Sequence, residues 1–556
     1  MKKYALGLDY GTLSVRALLL DLETGAEAAT CVYEYPHGVI TKALPCGTVL
    51  PEGFALEHPQ DFLDGLEYVV HGVMQGIAPE QVVGIGLDIT SATVLFTDDK
   101  GVPLCLKPEF ADRPHAWMKL WKHHGALEEA ARLQAVAEER GESWLNYYGG
   151  WISSELFLPK AVETAVKDPE VFAATYNILE AADWIVWVLT GEMTRSITLA
   201  GCNSNYRVDT GYPSAEYFKA AYPEAEKLPE KLVGKMVRLG DVAGYLTEEM
   251  AAKLGLMPGT PVGASIVDSH AGVIGCGAAS VGDMVSVIGT SANNMLNAEP
   301  GPGISGISGI QSSCMDANVP GLYGYEGGQN CVGDAFAWFA HNCVPKHYQD
   351  AADAADLPIQ AYLTELAQKL AIGESGLLIL DWFNGVRSPL MDFSLTASIV
   401  GLTIRTKPEE LYRAMLESTV FGNKRIIDTY EAAGHPVNRI IASGGIPLKN
   451  PLIMQIYADV CNRDIYLCGT MQGCALGSAI LGASAAGKEH TGCETFKELT
   501  EKYVILSDVS YHPIPENVER YRKLMVGKEY TFVYESVGPT FVSCDKKRIL
   551  QVIYNL

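Results

Sequence analysis

The chain has 556 residues, too many for a single hydrophobic core, so about two to four domains are expected. Its net charge of −24 repels both a phosphate backbone and an anionic lipid surface, which argues against nucleic acid or a membrane as partner. A phosphorylated ligand must then be held locally, by backbone N–H groups and a metal. Hydrophobic residues make up 48% of the chain, ample for buried cores. The 13 cysteines contain no C-x-x-C, and Cys461, Cys468 and Cys474 lack zinc spacing; this reads as reduced thiols in a cytoplasmic protein. Only five residues separate the opening lysines from Asp9, too few for a signal sequence, and no apolar run reaches the roughly 18 residues of a membrane span.

In chain order, residues 4–21 predict strand, tight turn, strand, and 82–98 predict the same. Residues 114–139 carry helical periodicity, which places Trp117 and Trp121 on one face at i, i+4; His123 and His124 then point apart and lie on the surface. Residues 177–192 predict a helix closed by Gly191. Residues 254–278 turn twice and run as a buried strand into Asp268 and a Gly/Ala-rich helix. At 282–296 the opening pattern returns: an apolar strand, then Gly-Thr-Ser, then chain leading away. The two Gly-Thr turns lie about 280 residues apart, roughly half the chain, which suggests two halves of related design. Residues 437–462 predict a strand, a Gly-Gly turn and a helix, and 472–487 a small-residue helix made for close packing. The boundary between halves falls near 270–285.

A glycine and a threonine between two strands can form a hairpin whose N–H groups face a ligand, with Gly11 allowing close approach and Thr12 and Ser14 adding hydroxyls. One such turn is commonly an ordinary hairpin. The second copy at Gly289, Thr290 and Ser291, with the Gly444–Gly445 turn, favours phosphate binding. Asp9 and Asp268 each end an apolar strand, where ligands bind in α/β folds and where a carboxylate can hold Mg²⁺.

The stretches "GLDYGTLSVRALLLD", "KPEFADRPHAWMKLWKHH", "VDSHAGVIG", "YGYEGGQNCVGDAFAWF", "LDWFNGVRSPLMD" and "ASGGIPLKNPLIMQIYADV" together resemble the FGGY family of carbohydrate kinases, over about residues 4 to 515. The resemblance implies an α/β, two-domain, actin-like or ribonuclease H-like ATPase fold with a cleft between the domains. It implies a sugar-binding domain at 1–278, an ATP-binding domain at 279–515 and a divergent tail at 516–556. Asp9 through Arg16, with Gly11, Thr12 and Ser14, is similar to the first phosphate hairpin, and Gly289, Thr290 and Ser291 to the second. Gly444, Gly445 and Asn450 fall where the family holds adenosine. Asp268 matches the general base and, with Asp9, the Mg²⁺ site. Ala92, Trp121, Arg207 and Glu326 fall near sugar-binding positions, with Arg207 standing where a lysine is expected. Arg387 is a candidate either to hold a phosphate or to pin a loop, and His270 is expected to be a satisfied structural histidine.

The implied activity is ATP- and Mg²⁺-dependent phosphorylation of L-ribulose to L-ribulose 5-phosphate. Competing readings are a kinase of another ketopentose or polyol, such as D-ribulose, xylulose or ribitol, and an actin-like nucleotide-binding scaffold. Asp268 beside the Trp121/Glu326 set argues against a scaffold, which needs no base. The expected partner is a small sugar, and a homodimer stays open. Residues 528–556 instead resemble the start of the ATP-binding domain of sensor histidine kinases, in a stretch too short to complete a nucleotide pocket.

Overall fold

Apolar strands bordered by short turns build the centre of each half. The computed structural model describes residues 2–301 and 304–525; the histidine kinase-like stretch at 528–556 lies outside them. In the first half, Tyr4–Tyr10 pairs antiparallel with Ser14–Asp21, which pairs antiparallel with Glu27–Glu34. On its other side Tyr4–Tyr10 pairs parallel with Val82–Ile89, which also pairs parallel with Pro261–Gly263 and Ile266–Val267, and Val242–Tyr245 completes the sheet. Leu6 and Leu8 are fully buried, as a central strand covered on both faces requires.

The second half repeats this order. Asp283–Ile288 pairs antiparallel with Ala292–Ala298, which pairs antiparallel with Tyr323–Gln329. Asp283–Ile288 also pairs parallel with Arg439–Ser443, and that strand parallel with Ile465–Cys468. The two Gly-Thr turns close the equivalent hairpins of the two sheets, so the internal similarity read in the sequence is a duplicated sheet.

The small-residue helix Gly473–Ala486 does not stay with the second sheet. It lies on the first, backbone against backbone. A Cβ at Gly7, Gly84 or Gly86 would collide with the carbonyl oxygen of Ala475, Gly482 or Ser478, and one at Gly477 with that of Ala271. These absent side chains let the helix seat against the central strands and against the helix Asp268–Gly275 at once.

Residues between the strand Val82–Ile89 and Val242 fold into a layer with its own core, including Phe96, Trp117, Leu133, Phe157 and Tyr217. Here the structure corrects the expected helix over 114–139. Pro114–Ala116 is one 3₁₀ turn, Met118–Lys119 is a strand paired with Leu56–Glu57, and the helix runs only over Leu127–Arg140. Trp117 and Trp121 therefore share no helix face: Trp117 is buried, while Trp121 sits in a turn, 38% exposed. His123 is fully buried, not on the surface, because it hydrogen-bonds Glu163 at 2.8 Å; His124 is exposed. The helix Pro515–Met525 docks on the second half, with Tyr521 buried and its hydroxyl donating to Glu417 at 2.9 Å.

Candidate active site

Three strand ends bring three carboxyls together. Asp9 stands opposite Asp88 in parallel register, and Ile266 stands opposite Asp88 on the other side, so Asp268 follows at the start of the helix Asp268–Gly275. These are the carboxyl ends of parallel strands, where open α/β sheets bind ligands. Ser478, on the helix Gly473–Ala486, donates to Asp88 at 2.6 Å. Burial first, and the charge of Asp9 second, push Asp268 up to about 7. Burial likewise holds Asp88 well above the usual carboxylate range, reinforced by the charge of Asp9. Asp9 is raised by burial against the pull of Arg16, whose guanidinium lies 3.3 Å away.

Buried carboxyls forced together in this way are hard oxygen donors short of positive charge, and the set fits a divalent cation such as Mg²⁺. Asp88 was not singled out from sequence. Its signal was there: "GLDIT" ends an apolar run on Leu-Asp as "GLDYGT" does, but without the glycine that drew attention to Asp9.

The phosphate-binding candidates gather at the same edges of their sheets. In the first hairpin the Gly11 N–H donates to the Ser14 carbonyl at 2.9 Å; in the second, Gly289 donates to Ser291 at 2.9 Å. The carbonyls of Thr290 and Gly289 accept from Val332 and Gly333, which open the helix Gly333–Asn342. Gly444 has φ of +100°, and a Cβ there would strike the Ile288 backbone, so the Gly-Gly turn folds directly under the second hairpin. Open space lies in front of Gly289 and Gly445. Asn450 caps the helix Pro451–Cys461 through Ile453 N–H at 3.1 Å, and its amide donates to Thr364.

The sugar candidates face this cluster. The Trp121 indole N–H donates to the Thr12 hydroxyl at 3.0 Å, joining this candidate to the first hairpin. Ala92 sits in a buried turn with φ of +48°. Glu326 lies on Tyr323–Gln329 among three glycines, with His270 at 3.4 Å. Burial acts to raise Glu326, but His270 overrides it and holds the carboxyl below its ordinary range. Burial disfavours the imidazolium of His270, yet Cys202 and Glu326 act to raise it. His270 thus orients a site residue as well as satisfying the Ala317 carbonyl at 2.9 Å. The Arg207 guanidinium stacks 3.5 Å from the Tyr147 ring centre and donates to Tyr323 Oη and the Ser313 carbonyl, both at 3.3 Å. Arg387 donates to Asn330 at 2.9 Å and to Asn293 at 3.2 Å.

A duplicated sheet with a hairpin from each half and a carboxyl cluster at one strand edge defines the actin-like, ribonuclease H-like class of ATPases. Residues 4–275 match the N-terminal domain of the FGGY family of carbohydrate kinases, and residues 284–486 its C-terminal domain. The chain belongs to that family. It is 45% identical over 541 residues to the ribulokinase of Geobacillus thermodenitrificans, covering 97% of this chain and 95% of the relative. It is 40% identical over 528 residues to the ribulokinase of Mycolicibacterium smegmatis, covering 94% and 92%. In fold it is similar to the xylulose kinase of Rhodospirillum rubrum, with a TM-score of 0.77 at 24% identity, covering 94% of this chain and 96% of the other. The glycerol kinase of Plasmodium falciparum with ADP gives 0.71 at 17%, covering 96% and 99%.

Proposed function

We propose that this protein transfers the terminal phosphoryl group of ATP to the C5 hydroxyl of L-ribulose, giving L-ribulose 5-phosphate. The observation that carries this reading is Asp268. It is a carboxyl tuned to about 7, set between the Asp9/Asp88 pair and the Glu326/His270 pair, with Trp121 bridging to the phosphate hairpin. Full-length relatives named ribulokinase supply the sugar. In this reading residues 1–278 hold most of the sugar site and 279–515 the adenosine, each half lends a hairpin to the phosphates, and the helix Gly473–Ala486 reaches back onto the first sheet.

Ala92, Trp121, Arg207 and Glu326 orient the sugar so that its hydroxyl meets Asp268. Asp268 accepts the proton as the oxygen attacks, which a base near the operating pH does well. Gly11 and Gly289 close the two hairpins and leave room for close approach, Thr12, Thr290 and Ser291 offer donors to the phosphates, and Gly444, Gly445 and Asn450 hold the adenosine. Asp9, Asp88 and Asp268 would hold Mg²⁺, which neutralises phosphate charge when bound. The cytoplasm is the expected location; among the described residues every cysteine is a free thiol and no helix is long and apolar enough to cross a membrane.

The test is ADP release with added L-ribulose, D-ribulose, xylulose, ribitol or glycerol. L-Ribulose is expected to give the highest kcat/KM. A higher value for another sugar would replace it as the substrate, and sugar-independent release would favour an actin-like scaffold.

The acid side of the pH profile follows from Asp268. Its carboxyl is inactive as a base while protonated, so kcat/KM for the sugar is expected to rise with pH toward about 7 and then level. A rate independent of pH between 5 and 8 would remove Asp268 from the proton transfer.

A further inference from the structure

Lys160 lies on the helix Phe157–Lys167 and is fully buried, yet its ammonium has no carboxylate within ion-pair distance among the described residues. Its Nζ donates instead to three backbone carbonyls: Ala92 at 2.8 Å, Leu120 at 2.8 Å and Trp121 at 3.3 Å. Burial pulls Lys160 down to about 7, but three carbonyl acceptors match the three hydrogens of the protonated form. The neighbouring Lys119 is different: it pairs with Glu163 at 2.7 Å and bonds Thr164 and the Lys160 carbonyl, a purely internal ion-pair network.

The three carbonyls are not arbitrary. Ala92 and Trp121 belong to two turns far apart in sequence, and both were read as sugar contacts. The Ala92 turn follows the strand Val82–Ile89 that carries Asp88, and Ala92 keeps a left-handed φ of +48°, which alanine holds only where its surroundings impose it. The Trp121 turn continues the strand Met118–Lys119 and presents its indole to Thr12. No hydrogen bond passes directly between Ala92 and Trp121 among the described residues; Lys160 is their common partner.

We propose that Lys160 is a positioning residue for phosphoryl transfer: its ammonium ties the Ala92 turn to the Trp121 turn and fixes the spacing of the two loops that grip the sugar. This rests on the reading of Ala92 and Trp121 as sugar contacts. Lys160 touches neither sugar nor ATP and acts through those two backbones. The backbones of the phosphate hairpins are held by the two central sheets, and Lys160 reaches the first hairpin only indirectly, through the single Trp121–Thr12 hydrogen bond.

The experiment uses the full chain with Lys160→Met, which keeps the length of the side chain and removes its donors. The kcat/KM for L-ribulose is expected to fall about tenfold to a hundredfold, the scale of a small misplacement of bound substrate. The affinity for ATP, measured by calorimetry without sugar, is expected to stay within error of the parent. An unchanged sugar kcat/KM, or an equal loss of sugar and ATP affinity, would overturn the proposal, since a merely structural lysine predicts one or the other. Should Lys160→Met fail to fold, Lys160→Gln retains part of the donor set. An intermediate loss confined to the sugar then supports the role, and no loss overturns it. Trp121→Ala separates the two levels of the argument. If it weakens sugar use while Lys160→Met does not, the sugar site stands and the role of Lys160 falls. If neither variant changes sugar use, the sugar-loop reading fails as well.

Discussion

Asp268→Asn is expected to lower kcat at least about a hundredfold, within the roughly 10² to 10⁴-fold range of general-base catalysis. Asparagine keeps the shape of the side chain and can still accept the hydrogen bond that Ser269 N–H gives Asp268 at 2.6 Å, so the helix start should survive. Its amide cannot take up a proton and brings no charge to the cluster with Asp9 and Asp88. The sugar KM should change far less, because the hydroxyl can still bond to the amide oxygen.

Stability should move the other way, with a definite sign. A carboxyl raised to about 7 binds its proton more tightly folded than unfolded. Its favourable contribution is therefore complete below the unfolded value near 4 and is lost as pH rises to about 7. Asparagine has no such dependence. In metal-free buffer the variant is expected to gain melting temperature relative to the parent between pH 5 and pH 8. Thermal melts and steady-state kinetics on one preparation check both outcomes. Near-normal turnover in a folded variant would contradict the assignment of the base.

Gly86→Val carries the largest expected effect on folding. Gly86 sits in the central strand Val82–Ile89, where even a Cβ would meet the Ser478 carbonyl and the Gly482 backbone. Backbone on both sides leaves no flexible side chain to give way. Forced overpacking costs about 1–3 kcal/mol or more, and valine adds two methyls beyond the Cβ. The helix Gly473–Ala486 would have to lift, taking with it Ser478 and its bond to Asp88. A melting temperature several degrees lower, or loss of soluble protein, is expected together with weakened activity. A melt identical to that of the parent would show that the helix is not seated as described.

The parts of this account legible in sequence are those set by local chemistry. A Gly-Thr turn between two apolar runs needs no distant partner to be recognised, and its recurrence half a chain later exposed the duplicated sheet. Asp9 and Asp268 were legible because each interrupts an apolar strand at its end. The residues that escaped owe their place to distant partners. Trp117 and Trp121 mimic a helix face by spacing, but Met118–Lys119 is drawn into a strand by Leu56–Glu57, some sixty positions earlier. His123 looks like a surface residue beside His124 until Glu163, on another helix, is placed against it. Lys160 is one lysine in an amphipathic helix, and only the folded chain brings three carbonyls to it. The small-residue composition of residues 473–486 announced a tightly packed helix but could not say that its bed is the first sheet.

The central claim is that the proposed site transfers the terminal phosphoryl group of ATP to the C5 hydroxyl of L-ribulose. Its most direct test is phosphorus and carbon NMR of the product formed from L-ribulose, ATP and Mg²⁺. The account predicts a phosphate ester on the C5 oxygen, with one ADP formed for each ester. ADP and free phosphate without an ester, or an ester at another carbon, would contradict it.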